Sequence, residues 1–132
     1  DEHTSRGLGD VYKRQQQCPT KAIVEPFVIR SDLCIAYHTI ESRKKIFPKK
    51  IEEHLNGWIA GCDICQDVCP WNKKVPYNNS SETTAKEWIK NLSVDSLNWD
   101  DKTWKDYLKG TTLKRIKPWM WRRNIKANLS KR

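Results

Sequence analysis

Five cysteines constrain this chain more than any other feature of its sequence. They occupy positions 18, 34, 62, 65 and 69, and the first and last of them are followed directly by proline. Only 37% of the 132 residues are hydrophobic, so the core must be thin and a small domain of this kind often depends on metal or disulfides for stability. The number of cysteines is odd, and we expect no export signal. Thiolate–metal ligation in a reducing compartment is therefore favoured over a disulfide framework.

The second half of the cysteine pattern is typical of iron–sulfur ligation. A [4Fe–4S] run reads C-x2-C-x2-C-x3-C-P, and its last cysteine binds the other cluster of a pair. Counting back from Cys69 gives Cys65, Cys62 and then Ile59, where the run would need a further cysteine. Cys34 is the only spare cysteine that could complete this set.

The first half of the pattern is incomplete. Counting back from Cys18 by the same rule gives Arg14, Val11 and Leu8, none of which is a ligand for iron. We therefore expect one cluster to be complete in this chain and Cys69 to reach towards a second one, whose other three ligands are not in the chain. The ligands predicted for the complete cluster are Cys18, Cys34, Cys62 and Cys65.

A structural zinc site is the alternative interpretation of the same cysteines. C-x2-C pairs also occur in zinc sites with four cysteine ligands. Three features favour iron–sulfur over zinc: the C-x3-C-P extension, the repeated Cys-Pro, and Cys69, which a zinc site would not require. Metal content would separate the two alternatives.

The sequence predicts an α+β fold that is mainly α, built on a ferredoxin-like [4Fe–4S] module. Residues 1–15 resemble a translated cloning adapter, so we interpret them as a non-native leader and expect the natural chain to continue upstream. We predict a ferredoxin-like domain in residues 16–76, truncated at its N-terminal side, and a basic helical segment in residues 77–132. The expected elements are a small β hairpin in residues 22–29, short helices in residues 35–41, 49–55, 84–92 and 100–108, and a helix in residues 112–129 that is broken or kinked at Pro118.

The last third of the chain is strongly basic. Residues 102–132 contain eleven Lys or Arg and one acidic residue, Asp106, within a chain of net charge +9. Such one-sided charge favours contact with phosphates. Trp104, Trp119 and Trp121 are interleaved with these cations and could stack on bases, although tryptophans at such spacings are more often part of a core.

Three segments together resemble epoxyqueuosine reductases. They are CPTKAIVEP (residues 18–26), CIAYHTIE (residues 34–41) and GCDICQDVCPWN (residues 61–72). The resemblance covers residues 18–128 and is firmest through residue 72. It implies an oxidoreductase that converts epoxyqueuosine to queuosine in tRNA, using two [4Fe–4S] clusters that relay electrons to cobalamin. It also implies the same cluster ligands as the count above, with Cys69 on the second cluster.

The resemblance also implies further site residues and partners. Ala36, Cys62 and Asp63 are expected to lie against the cobalamin. No catalytic residue can be assigned, because the family's proton-donating acid lies in the N-terminal half, and we expect this chain alone to be inactive. The remaining expectations are a cytoplasmic monomer, a partner tRNA, an electron donor that the sequence does not identify, and no membrane. Residues expected to contact tRNA are Arg43, Lys44, Lys114, Arg115, Lys117, Arg122 and Arg123.

A stand-alone ferredoxin-like electron-transfer module is the alternative function. It would use the same clusters without an RNA substrate. The strongly basic residues 102–132 argue against this alternative, since a small ferredoxin has no need of eleven cations in its last third.

Overall fold

The computed structural model describes residues 12–78 and 80–130. These residues are mainly helical, with one two-stranded antiparallel sheet, as the sequence predicts. The elements are α1 (residues 12–17), β1 (Ile23–Glu25), β2 (Val28–Ile29), α2 (Lys49–Glu53), α3 (Ile64–Asp67), α4 (Glu87–Lys90), α5 (Asp101–Leu108) and α6 (Pro118–Leu129). Short 3-10 helices span Ser31–Leu33, Pro70–Asn72, Val94–Asn98 and Thr112–Arg115, and a π-helix spans Tyr37–Glu41. No helix in the described part of the chain is long and apolar enough to cross a membrane.

The β hairpin lies where the sequence predicts it. Ile23 pairs with Ile29 and Glu25 pairs with Val28. The turn between the strands places Phe27 in the left-handed region, with φ of 65°. β-branched residues favour the extended strands on either side of this turn.

Two hydrophobic clusters form the core. The smaller cluster contains Ile35, Phe47, Ile51 and Leu55, and lies beside the cysteine-bearing segments. The larger cluster is aromatic: the ring centroids of Trp104 and Trp121 are 5.3 Å apart at an interplanar angle of 19°. Its buried members are Trp88, Trp104, Leu108, Ile116, Met120, Trp121 and Ile125. The last helix joins the two clusters, because Ala127 packs against the first and Ile125 belongs to the second.

Capping residues and proline decide where the C-terminal helices begin. The Asp100 side chain accepts a hydrogen bond of 2.8 Å from the Thr103 N–H and so caps α5. Pro118 occupies the first turn of α6, where its missing N–H would have had no partner inside the helix. The predicted helix in residues 112–129 is therefore broken at Pro118, as expected, into a 3-10 helix and α6. The helix predicted in residues 84–92 is shorter, since only Glu87–Lys90 are α-helical.

Candidate iron–sulfur site

Four of the five cysteines line one small cavity. Cys18, Cys34, Cys62 and Cys65 lie around a space of about 50 Å³. The rest of the wall is largely apolar and comes from the hairpin and the segment after it, including Ile23, Ile29 and Ile35. Cys69 is not among the lining residues. The cysteines that the sequence predicts for one cluster are thus brought together, and the one predicted for a second cluster lies apart from them.

Local backbone structure positions each of these thiols. Cys18 follows α1 directly, and its N–H donates to the Arg14 carbonyl at 3.0 Å. Cys34 ends the Ser31–Leu33 3-10 helix, with its N–H donating to the Ser31 carbonyl at 3.0 Å. Cys62 follows Gly61, whose φ of 90° is a conformation that side-chain-bearing residues rarely adopt. This glycine turns the chain into α3, which carries Cys65.

Hydrogen bonds to sulfur distinguish Cys18 from its neighbours. The Ala22 N–H donates to Cys18 Sγ at 3.3 Å, and Thr20 Oγ1 lies 3.8 Å from the same sulfur. Burial raises the pKa of Cys18, but the hydrogen bonds from Ala22, Thr20 and Ile23 outweigh it and the net effect lowers the pKa. A thiolate at this position is therefore stabilised before any metal arrives.

The other side of the cavity disfavours negative charge. Burial raises the pKa of both Cys62 and Cys65, and the neighbouring thiolates of Cys34 and Cys18 raise it further. Several thiolates in one apolar cavity repel each other unless a cationic group lies between them. Ligation of iron would supply that positive charge, so the donor set and its surroundings fit a thiolate-bound cluster.

The fifth cysteine has a separate environment. Cys69 follows α3 and is 2% exposed. Arg14 Nη2 lies 2.7 Å from Cys69 Sγ. Position 14 is one of those at which a complete first run would carry a cysteine, so the fold brings this position and Cys69 together.

The described residues offer no site for a single metal ion. In residues 12–78 and 80–130, no three His, Cys, Asp or Glu side chains form a group that could hold one.

Asn124 connects the last helix to the segments that carry the cysteines. Its buried Nδ2 donates to the Thr39 carbonyl at 2.9 Å and to the Ile59 carbonyl at 2.7 Å. Thr39 Oγ1 in turn donates to the Ile35 carbonyl at 2.9 Å and accepts from the Gly61 N–H at 3.0 Å. This polar link joins the residues after Cys34 to the residues before Cys62. We refer to Asn124, Thr39 and their partners as the Asn124 link.

Arg123 is also an internal residue in this structure. It is 9% exposed, and its guanidinium donates to the carbonyls of His38, Ser42 and Lys44 at 2.6–2.8 Å. Burial, with a smaller effect from the nearby charge of Arg43, lowers the pKa of Arg123 to about 10, so the side chain remains protonated at neutral pH. These contacts give Arg123 a structural role. Its buried position does not support the predicted contact with tRNA.

The other residues predicted to contact tRNA are less buried than Arg123. Two of them form ion pairs with carboxylates. Lys114 and Lys117 are exposed and, with Lys105 and Lys109, line a depression of about 320 Å³. Arg115 lies 3.1 Å from Glu41, and Arg122 lies 2.7 Å from Asp101, in two ion pairs. Arg43 and Lys44 are exposed. Sequence reasoning singled out neither Lys105 nor Lys109 as a contact, although both belong to the basic run.

The residues predicted to face cobalamin do not line the cysteine cavity, apart from Cys62. Ala36 is half-buried just before the π-helix, and Asp63 is exposed just before α3. Of the three interleaved tryptophans, Trp104 and Trp121 are buried in the larger hydrophobic cluster and Trp119 is half-buried. Trp104 and Trp121 therefore belong to the core and not to a base-stacking surface.

Comparison with known proteins identifies an iron–sulfur family and a group of reductases to which the chain is similar. Residues 15–72 match a family described as a 4Fe-4S double cluster binding domain. The epoxyqueuosine reductase of Prochlorococcus marinus is 53% identical over 119 residues, which are 89% of this chain and 38% of that protein. The epoxyqueuosine reductase of a Synechocystis species is 45% identical over 131 residues, which are 98% of this chain and 45% of that protein.

A solved structure shares the fold. The structure of epoxyqueuosine reductase from Bacillus subtilis gives a TM-score of 0.77 at 24% identity, over 89% of this chain and 32% of that chain. The present chain thus spans less than half the length of each of these relatives. By its sequence and its iron–sulfur segment, the chain is thus similar to one part of the epoxyqueuosine reductases.

Proposed function

We propose that this chain forms the cluster-bearing part of an enzyme that reduces epoxyqueuosine to queuosine in tRNA. The observation that carries the proposal is the arrangement of the five cysteines: four line one cavity, and Cys69 lies against position 14. This separation is what a crossed pair of [4Fe–4S] clusters requires. The names of the relatives supply the reaction.

The proposed cofactors are two [4Fe–4S] clusters and cobalamin. Cys18, Cys34, Cys62 and Cys65 would hold one cluster, and Cys69 would contribute to the other. Removal of an epoxide oxygen as water consumes two electrons and two protons, and a [4Fe–4S] cluster supplies electrons one at a time. The apolar wall of the cavity would keep water away from the cluster, and the N–H groups near Cys18 would stabilise its sulfur. Ala36, Cys62 and Asp63 remain proposed cobalamin contacts on resemblance alone.

The proposed organisation is a ferredoxin-like domain in residues 16–76 followed by a basic helical segment in residues 77–132. The Asn124 link and Arg123 suggest that the second segment supports the first, because both residues donate to carbonyls of residues 38–59. A monomer in the cytoplasm, supplied by a separate electron donor, completes the proposal.

The proposed tRNA contact is the exposed part of the basic surface. It comprises Arg43, Lys44, Lys114, Arg115, Lys117 and Arg122 from the sequence, together with Lys105 and Lys109 from the shared depression. Lysine and arginine side chains on one face neutralise phosphates of the RNA backbone. Arg123 is left out because its guanidinium is occupied by carbonyls.

The stand-alone electron-transfer module is not favoured. The relatives that match most of the chain are named as reductases, and the match extends well beyond the iron–sulfur segment at residues 15–72.

Anaerobic reconstitution with iron and sulfide tests the cluster part of the proposal. We expect about four irons per chain and a reducible EPR signal, both abolished by Cys34→Ser. Cys69→Ser is the matched control, because Cys69 does not line the cavity, and it should retain the iron and the signal. One tightly bound zinc without iron would contradict the proposal, as would equal loss of iron in both variants.

A further inference from the structure

A second cavity lies away from the cysteines, between α6 and the chain that leads into α2. It is a groove of about 420 Å³. Its lining includes Lys45, Phe47, Glu52, Trp119, Arg122 and Lys126, and none of its residues touches the cysteine cavity. A volume of roughly 300–1,000 Å³ is typical of sites for small organic groups. We call it the α2–α6 groove.

The groove carries a net positive charge, and two of its cations have no carboxylate partner among the described residues. Arg122 is paired with Asp101, and Arg123 donates to backbone carbonyls. Glu52, the one acidic residue in the lining, accepts a hydrogen bond from Ser130 Oγ at 2.8 Å. Lys45 and Lys126 are exposed, and neither forms an ion pair with a carboxylate in residues 12–78 and 80–130. Two ammonium groups are thus available to an anion that enters the groove.

Trp119 gives the groove an aromatic surface. Its indole is half-buried, whereas Trp104 and Trp121 are fully enclosed. The Lys45 ammonium lies 4.0 Å from the centroid of the Trp119 ring, in a cation–π contact. The Arg123 guanidinium lies 5.3 Å from the same centroid and 4.5 Å from the centroid of Phe47. A flat ring beside mobile ammonium groups is the combination by which proteins hold single-stranded nucleic acid, with a base on the ring and a phosphate on the cations.

We infer that the α2–α6 groove binds one nucleotide of single-stranded RNA, with its phosphate on Lys45 and Lys126 and its base against Trp119. The Lys45 side chain is flexible, so its ammonium can leave the indole for the phosphate while the base takes its place on the ring. The groove is distinct from the depression lined by Lys105, Lys109, Lys114 and Lys117. The inference rests on the proposed function for the identity of the RNA. It adds to the phosphate contacts a site at which a base stacks on an aromatic ring.

The test measures binding of a fluorescently labelled tRNA anticodon stem-loop to the reconstituted chain by anisotropy. The groove variant is Lys45→Glu combined with Lys126→Glu. Its control is Lys74→Glu combined with Lys86→Glu, which changes the net charge equally at exposed positions outside the groove. We expect the groove variant to bind at least about tenfold more weakly and the control to change by less than about threefold. The slope of log K against log salt should become shallower by ~0.7 in the groove variant, because the inferred site neutralises one phosphate and each phosphate neutralised on a single strand contributes ~0.7.

Trp119→Leu tests the stacking part separately. We expect binding to weaken by about tenfold, which corresponds to one base stacked on an aromatic ring. Far-UV circular dichroism and iron content establish that the variant is folded, and Trp71→Leu, at an exposed tryptophan outside the groove, serves as the matched control.

The outcomes separate this inference from the proposed function. If the unaltered chain binds the stem-loop and the groove variant matches its control, the inference is wrong and the proposed function stands. If the groove variant weakens binding but Trp119→Leu does not, the groove holds phosphate alone and the nucleotide site is wrong. If the unaltered chain does not bind the RNA at all, the RNA part of the proposed function and this inference both fail.

Discussion

Asn124 shows how a single side chain in the last helix determines the geometry of cysteine segments far away in the sequence. It bonds the carbonyl of Thr39, 85 residues earlier, and that of Ile59, 65 residues earlier. The sequence predicted which cysteines would meet, because their spacing follows a known ligand rule. It did not predict Asn124, whose partners are carbonyls that any residue possesses. One signal was available: Asn124 falls between Trp121 and Ile125 at helical spacing, where an apolar residue would be expected.

Removal of the Asn124 side chain should destabilise the whole chain. Asn124→Ala leaves the carbonyls of Thr39 and Ile59 without their donor in a buried region, and we expect the free energy of unfolding to fall by about 2–4 kcal/mol. Urea unfolding of the reconstituted chain, followed by far-UV circular dichroism, measures this change.

Asn128→Ala is the control for this prediction. Asn128 lies one turn further along α6 and donates to the Trp58 carbonyl at 3.0 Å, but it is only half-buried, so water can replace its hydrogen bond. We expect a decrease below about 1.5 kcal/mol for this variant. Equal decreases in the free energy of unfolding of the two variants would show that the burial of Asn124 does not add to the stability its hydrogen bonds provide.

At the scale of elements, the sequence predicts those structures that depend on neighbouring residues. It does not predict a backbone form that depends on hydrogen bonds from residues far away in the sequence. The hairpin, the start of α5 and the break at Pro118 all follow from local chemistry: β-branched residues, a capping aspartate and a proline. The segment after Cys34 was predicted to be helical, and its residues Ile35, His38 and Thr39 are buried. Its π-helical form was not predictable, because the carbonyls of this segment are held by the distant Arg123 and Asn124.

The cap of α5 gives a prediction that depends on pH. Hydrogen bonds from the Thr103 backbone N–H and side chain lower the pKa of Asp100 from its ordinary 3.8. The carboxylate thus stabilises the fold above pH 3.8, and this contribution is lost as the pH falls through the lowered pKa. Asp100→Ala should lower the thermal unfolding midpoint by roughly 3–8 °C at pH 7.

The difference between the unaltered chain and Asp100→Ala should narrow below about pH 4, as the capping carboxylate becomes protonated in the unaltered chain. This difference in unfolding midpoint can be measured by circular dichroism melts of the iron-free chains from pH 3 to pH 7. Asp106→Ala, in the same helix but outside the cap, is the matched control and should change the midpoint little at any pH. A difference for Asp100→Ala that stays constant down to pH 3 would contradict the capping role.

At the scale of the whole molecule, charge and metal ligands occupy different parts of the fold. The cysteines come from residues 18–69, whereas eleven of the 25 Lys and Arg residues lie in residues 102–132. Composition was enough to predict this asymmetry. It was not enough to predict which cations stay exposed, since Arg123 is buried and Arg122 is half-buried while Lys105, Lys109, Lys114 and Lys117 face solvent.

The lysine depression should dominate the salt dependence of RNA binding. Replacing Lys105, Lys109, Lys114 and Lys117 by Gln removes up to four cations that neutralise phosphates. We expect the slope of log K against log salt to become shallower by about 2.8, or about 0.7 for each phosphate. Filter binding of tRNA between 50 and roughly 200 mM salt measures this slope.

The control replaces four exposed lysines outside the depression, Lys49, Lys50, Lys86 and Lys90, by Gln. This change in net charge is the same, so a purely long-range effect would alter both slopes alike. If both variants show the same slope, the depression makes no direct contact with phosphate.

The uneven distribution of tryptophan gives the molecule two separate optical reporters. Five of its seven indoles lie between Trp88 and Trp121, so ultraviolet emission comes mostly from the larger hydrophobic cluster. The colour of an iron–sulfur chromophore would come from the cysteine cavity, none of whose lining residues belongs to that cluster. The Asn124 link predicts that the emission shifts and the colour is lost at one denaturant concentration, as in a single cooperative unit. Asn124→Ala, which removes the link, should separate the midpoints of the two signals.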